Sequence, residues 1–571
     1  MLAKKNYIII SLFLITLLSI ILLNSFTQPQ NNSAELVESK TMEQNLSIQA
    51  TIAAKPALGN DIGGLAYFST QWVFVDLMKQ GSEWITQNIT PGGPWNTGMI
   101  DQIPLDENGY PLELPFIAPD GTPQRVVTLT GNPSYPSGDY ILLFDGEGEI
   151  EIFGRNLSYQ QEGPGRYRIT RTDGDRINIA ITKSVKGNHV RNMRLIMPGF
   201  EDNYEQQIFH PLFLERLQPF AVLRFMNLME ANNNKLITWE DRTKTDTYTQ
   251  ARRGYGMAPE YIPQLANRTE ADIWINMPHQ ADDNYIRELA TLLKQELNPD
   301  KKIYVEYSNE VWNAQFQQTQ WLYQVGCENP DTFVKDESNQ AQTIPGCNHF
   351  LSSINFHVQR LARIAEIFAE VFQENFEDRI IIVAASQGVN PYLSEQILER
   401  FSNPKLNPQG YKPAALAVAP YFGFRADRKE QVNENITVDE LLDLAQEHIE
   451  TKVLEFALQH KQIADKYNVA LIAYEGGQHL VPRPAQRETP LTQTMIEANR
   501  HPRMGDLYRE YLKNWFDTVG GGAFANFSNV GTPSHFGSWG VLEYQDQAIS
   551  EAPKYQALLD IIDYLQQKSA S

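Results

Sequence analysis

Ile303-Tyr304-Val305-Glu306-Tyr307-Ser308-Asn309-Glu310-Val311-Trp312 is the stretch on which the reading of this chain turns. Its first five residues are β-branched or aromatic with a single charge, the composition of a short strand. The run then breaks into Ser-Asn-Glu, a polar cluster placed where that strand ends.

Working outward, strands of the same kind recur with amphipathic segments between them. They are Ala221–Met226, Ala271–Met277, Ile303–Tyr307, Arg379–Ala384, Ala415–Ala419, Val469–Ala473 and Ala523–Phe527. Helix-period segments fall at Asp283–Glu296, Phe356–Phe372, Val438–Tyr467, Met504–Val519 and Lys554–Gln567. Gly63–Phe68 is read as the first strand of the series, followed by a helix over Gln71–Gln87 with Ser69 and Thr70 as N-cap candidates. Eight βα units predict an α/β protein, a (β/α)8 TIM barrel. An open doubly wound sheet is the alternative, and it asks for a phosphate-binding glycine turn that the chain does not offer.

One interval departs from this rhythm. Short alternating runs at Arg125–Thr130, Tyr140–Phe144, Glu149–Phe153, Tyr167–Arg171, Ile177–Ile181 and Val190–Leu195 are separated by Gly/Asp turns and predict a small all-β module. The expected organisation is residues 1–28 as signal peptide or signal anchor, 29–55 as polar linker and 56–100 as first barrel unit. Residues 101–200 are then the inserted module, between the first βα unit and strand two, and 201–571 the rest of the barrel.

Composition bounds the class. The chain has 571 residues, a net charge of −21, 42% hydrophobic and 20% charged residues, which is globular. The acidic excess argues against nucleic acid as partner. Lys4 and Lys5 precede an apolar run from Tyr7 to about Leu23, so the bulk of the chain is expected outside the cytoplasm, either secreted after cleavage or held by a retained membrane anchor. The two cysteines, Cys327 and Cys347, bracket a polar loop that an oxidising compartment would allow to be bridged.

If the barrel is right, chemistry sits at the strand ends. Strand two ends around Arg224, strand three runs into His279, and strand four runs into Asn309-Glu310. Strand six ends at Tyr421, strand seven at Tyr474-Glu475, and strand eight leads towards Trp539. Two strand-end carboxylates, Glu310 and Glu475, are what cleavage of a glycosidic bond needs: one carboxyl donates a proton to the leaving oxygen while the other stays ionised. Glu306, on the same strand as Glu310, reads as a buried partner of a barrel cation or a residue supporting the site from behind, in preference to a catalytic one. Trp95, Trp239, Trp274 and Trp312 are candidate sugar platforms, with core packing as the plainer reading of each.

Here the sequence resembles a known group. Glu306-Tyr-Ser-Asn-Glu-Val-Trp312 is similar to the strand-four Asn-Glu segment of the clan A retaining glycoside hydrolases, the 4/7 superfamily of (β/α)8 enzymes. Ala473-Tyr-Glu-Gly-Gly477 resembles that clan's strand-seven segment, and Ser538–Leu542 with Pro553–Leu558 resembles its strand-eight loop and last helix. Trp72–Lys79 with Trp84 looks like the entry of cellulase-like exported proteins. The resemblance implies Glu310 as general acid/base and Glu475 as nucleophile. It implies that Asn309 bonds a sugar 2-hydroxyl, Arg224 holds the nucleophile ionised, Tyr421 orients it, His279 lines a subsite and Trp539 stacks on a ring. It predicts retention of anomeric configuration.

No His-Glu-x-x-His, Gly-x-Ser-x-Gly or Walker lysine loop occurs, so no cofactor or metal is expected. The expected partner is a polysaccharide or oligosaccharide. A carbohydrate-binding protein on a glycosidase-like barrel, without turnover, is the competing reading.

Overall fold

The structure, a computed structural model, describes residues 48–337 and 344–570. Eight parallel strands close into a barrel: Leu58–Asp61, Val222–Arg224, Asp272–Met277, Ile303–Tyr307, Ile380–Ala385, Ala415–Val418, Ala470–Ala473 and Phe524–Asn526. Strand one pairs with strand two on one side and with strand eight on the other, Leu58 facing Phe524. The expected (β/α)8 barrel is therefore present. Seven of its strands coincide with the apolar runs of the sequence, because a strand covered by helices outside and side chains inside has no solvent face to mark with polar residues.

The first strand lies elsewhere than expected. Gly63–Ala66 is irregular and Tyr67–Phe68 forms a turn, with Phe68 exposed, and the strand is the preceding Leu58-Gly-Asn-Asp61. Its polar residues are buried and paired: Asn60 bonds Asn526 and Asn529, and Asp61 bonds Arg224. Gly59 is required there: a Cβ would meet the Val222 carbonyl oxygen at 2.6 Å.

The helix expected over Gln71–Gln87 is also absent. Residues 72–76 are extended, 77–80 form one 3-10 turn, and Ile85–Asn88 is a strand. Trp72, Val73, Phe74, Val75, Leu77 and Met78 are all buried, so the segment is apolar on every side rather than along one stripe. It runs between two cores: the Val75 amide donates to Ile208 O at 3.1 Å and the Met197 amide donates to Val75 O at 2.9 Å.

The β module follows. One antiparallel sheet has the order Arg191–Ile196, Gly138–Asp145, Arg166–Arg171, Leu157–Gly163. The other has Ile85–Asn88, Pro123–Thr130, Ile177–Ser184, Gly148–Phe153, with Phe116–Ile117 beside Pro123–Thr130. Trp84, Val126, Leu142, Ile169, Ile181 and Leu195 pack in a core of their own, separate from that of the barrel. The module is thus inserted between barrel strands one and two, with no α-helix between strand one and the module.

At the opposite, amino-terminal mouth of the barrel, residues 48–53 are helical. Ala53 packs with Val222, Ile381, Ala415 and Ala523, and Gln49 Nε2 donates to Ile380 O at 2.8 Å. Cys327 and Cys347 are joined by a disulfide across 20 residues. Among the described residues no helix is long and apolar enough to cross a membrane, and the apolar run from Tyr7 to Leu23 lies outside them.

Candidate active site

The carboxyl ends of the strands surround a cleft of about 550 Å³ lined by Asn309, Glu310, Tyr421, Glu475 and Trp539. Its floor is organised by one cation. Arg224, the last residue of strand two, is fully buried. Its Nη1 donates to Asp61 Oδ2 at 2.9 Å and to Glu475 Oε2 at 3.0 Å. Its Nη2 donates to Glu306 Oε2 at 3.0 Å and to Asn309 Oδ1 at 2.8 Å. The planar fork of a guanidinium can hold four acceptors from three strands at once, which a lysine could not.

Local backbone geometry brings Asn309 and Glu310 into one cleft. Neighbours in a strand point to opposite faces. Strand four ends at Tyr307, and Ser308 and Glu310 then adopt φ of 58° and 42°, a left-handed conformation uncommon outside glycine. The resulting kink turns both side chains to the cleft, and such strain persists where the surroundings hold it in place. Gln318 Nε2 donates to Asn309 O at 2.8 Å and pins the bend. After strand seven, Glu475 is followed by Gly476 and Gly477, where a Cβ would meet Phe524 Cζ at 2.5 Å and Tyr508 Oη at 2.7 Å.

The two cleft carboxyls have unequal neighbours. Glu475, 6% exposed, touches the guanidinium. Among the described residues, Glu310 accepts from neutral donors, Tyr474 Oη at 3.1 Å and Asn313 Nδ2 at 2.9 Å. Burial pushes Glu475 well above the ordinary glutamate value; Arg224 opposes this while Glu310, Asp61 and Glu306 add to it. Burial raises Glu310 too, against the hydrogen bonds from Asn313 and Tyr474. Asp61 is raised to about 7 and Glu306 is raised, both chiefly by burial. Four carboxyls around one guanidinium cannot all be ionised without a large unbalanced charge, so the cluster retains protons at neutral pH. Direct contact with the cation makes Glu475 the one to ionise first of the cleft pair, leaving the proton on Glu310.

Other expectations fare differently. Arg224 lies under the cleft against Glu475, and Glu306 is the buried partner of that cation, held also by Trp274 Nε1 at 2.8 Å and Asn276 Nδ2 at 2.9 Å. Tyr421 makes no hydrogen bond to Glu475 among the described residues. It packs edge-on against His479, Phe527 and Trp539, and the tyrosyl hydroxyl on a cleft carboxyl is that of Tyr474.

His279 is not at the cleft. The chain turns at Pro278, with the Ala281 amide donating to Pro278 O at 3.1 Å. This sends the imidazole outward into a separate cavity of about 510 Å³, edge-on to Trp321. Of the candidate platforms, Trp312 lines the cleft and Trp95 is 58% exposed on the module, while Trp274 is wholly buried and Trp239 packs against Tyr285.

Asp61 and Tyr474 were not legible as site residues. Asp61 was hidden by the misplaced first strand, and Tyr474, adjacent to Glu475, carried no signal beyond that adjacency. Among the described residues no group of three His, Cys, Asp or Glu is placed to hold a metal.

No family model matches this chain, and no curated protein matches it in sequence. Among solved structures it is similar to a double mutant of the β-glucosidase from Trichoderma harzianum, at 11% identity and a TM-score of 0.34, over 62% of this chain and 86% of that one. It is similar to a xylanase from Clostridium thermocellum bound to xylohexaose, at 9% identity and 0.33, over 86% and 97%. An exo-β-agarase is similar at 10% identity and 0.36, over 90% and 62%. Similarity of this degree carries no functional argument; the closed barrel establishes the fold by itself.

Proposed function

We propose that this protein is an exported retaining glycoside hydrolase that cleaves β-glycosidic bonds in a polysaccharide or oligosaccharide. The observation that carries the reading is the pairing of two cleft carboxyls in unequal environments, Glu475 on the Arg224 guanidinium and Glu310 on the neutral donors Tyr474 and Asn313. Glu475, ionised, attacks the anomeric carbon. Glu310 gives its proton to the departing glycosidic oxygen, so the leaving sugar departs as an alcohol and a glycosyl ester of Glu475 remains. Glu310, now a carboxylate, takes a proton from water as that water attacks the same carbon, releasing the sugar and restoring both groups. Asn309 is held by Arg224 on its oxygen and by Asn232 on its nitrogen, so its amide meets a sugar hydroxyl in one fixed orientation. Trp312 and Trp539 offer apolar rings for sugar faces. The Cys327–Cys347 bridge supports export, since such bonds persist in oxidising compartments.

Three experiments test this. Glu475→Gln should remove turnover while the protein stays folded by circular dichroism; wild-type turnover in that variant refutes the assignment. Glu475→Gly with azide should yield the glycosyl azide of inverted configuration, and the wild-type product, followed by NMR, should first appear with retained configuration.

A further inference from the structure

The proposed hydrolysis leaves the chemical class of sugar open, and the cleft's electrostatics bear on it. Among the described residues that line the cleft there is no lysine or arginine. The cation beneath, Arg224, is fully buried, and both its Nη atoms are committed to Asp61, Glu475, Glu306 and Asn309. The histidines of the wall add no charge at neutral pH. His448 Nδ1 accepts the Gly423 amide at 3.1 Å, which requires that nitrogen to be unprotonated, and burial holds the ring down at about 4. Burial likewise holds His460 at about 4 and lowers His479.

The cations on the neighbouring loop are turned elsewhere. Arg252 lies over the Tyr255 ring at 4.2 Å, Lys235 lies near the same ring at 5.9 Å, and neither lines the cleft. What the wall does offer is carboxamide: Asn232, Asn313, Gln315 and Gln387. Each pairs a donor with an acceptor, the complement of a sugar hydroxyl.

We infer that the cleft takes an uncharged glycan and discriminates against chains bearing uronate or sulfate at the bound rings. This rests on the reading of the cleft as a glycan site. A ligand anion there would face the carboxylate of Glu475, with Asp61 and Glu306 below it, and find no free cation. With Glu475 already paired to Arg224, the cost to an anion is that of giving up hydration with no cation in exchange, which weakens binding by about 100-fold. The chain's net charge of −21 adds to the repulsion at long range.

The test uses the purified wild-type protein on paired glycans: unsubstituted against glucuronate-substituted xylan, and agarose against a sulfated galactan. Binding is read by affinity electrophoresis and cleavage by reducing ends, each at low salt and at 1 M NaCl. The expected result is that the neutral member of at least one pair is favoured by about 100-fold, with the gap narrowing in high salt as screening predicts. A charged member bound or cut as well as its neutral partner overturns the inference and leaves hydrolysis standing. Neutral glycan bound but uncut upholds the inference and sinks hydrolysis. No binding or cleavage of any pair overturns both.

Discussion

Replacing Asp61 by asparagine should change how stability depends on pH. Asp61 is fully buried at the barrel floor, and burial outweighs the contacts with Arg224 and Asn227 to lift its carboxyl from 3.8 to about 7. A carboxyl that binds its proton more tightly when folded makes ionisation a cost of folding. That cost is absent below pH 3.8, grows between 3.8 and about 7, and is fully present above 7. At 1.36 kcal/mol per unit the window is worth about 4 kcal/mol. Asparagine nearly preserves the shape, keeps one acceptor for Arg224 or Asn227, and has no charge to lose. Its effect at acid pH is an offset set by hydrogen bonding, and the slope carries the test. Urea unfolding of wild type and Asp61→Asn, compared from pH 4 to pH 8, should show the variant gaining on wild type by about 4 kcal/mol across that range. A difference that stays constant with pH refutes the reasoning. A difference that moves only below pH 4, with wild type losing ground as the acid group is protonated, shows instead that Arg224 holds Asp61 ionised.

Further outcomes follow from the same geometry. Arg224→Lys replaces a fork serving four acceptors by one ammonium; kcat/KM should fall by about 10²–10³-fold and its acid limb should move to higher pH, as Glu475 becomes harder to ionise, in a pH–rate profile. His279→Ala should lower the thermal unfolding temperature while leaving kcat/KM unchanged, because the ring faces the cavity beside Trp321. Replacing both Cys327 and Cys347 by serine should cost about 3 kcal/mol in urea unfolding under oxidising conditions, the chain-entropy scale for a loop of this size, and reductant should abolish the difference.

The barrel was legible wherever burial dictates composition. Ile303–Tyr307 and Asp283–Glu296 match their sequence patterns residue for residue, the first a strand with no wet face and the second a helix with one apolar stripe. Legibility failed where that link breaks. Leu58–Asp61 hides its identity because its polar residues are buried against polar partners from distant segments, Asn60 on Asn529 and Asp61 on Arg224. The segment from Trp72 to Met78 is buried on all sides by two domains at once, so its apolar residues mimic a helix face. Leu157–Gly163 is mostly exposed and polar, and pairs with Arg166–Arg171 by backbone bonds that composition does not report.

The same division runs through the site. The strand-end rule picks out Glu310, Glu475, Arg224 and Asn309 because a parallel barrel must present those positions at one face. Sequence alone thus determined the barrel, the inserted module and the two carboxylates, since periodicity and burial are local records of one-dimensional order. Which way His279 turns, that Tyr474 rather than Tyr421 bonds a cleft carboxyl, and that Asp61 shares the guanidinium with Glu475 were decided only in three dimensions. Those contacts join residues as much as 251 positions apart, and the charge balance they set belongs to the cluster rather than to any one segment.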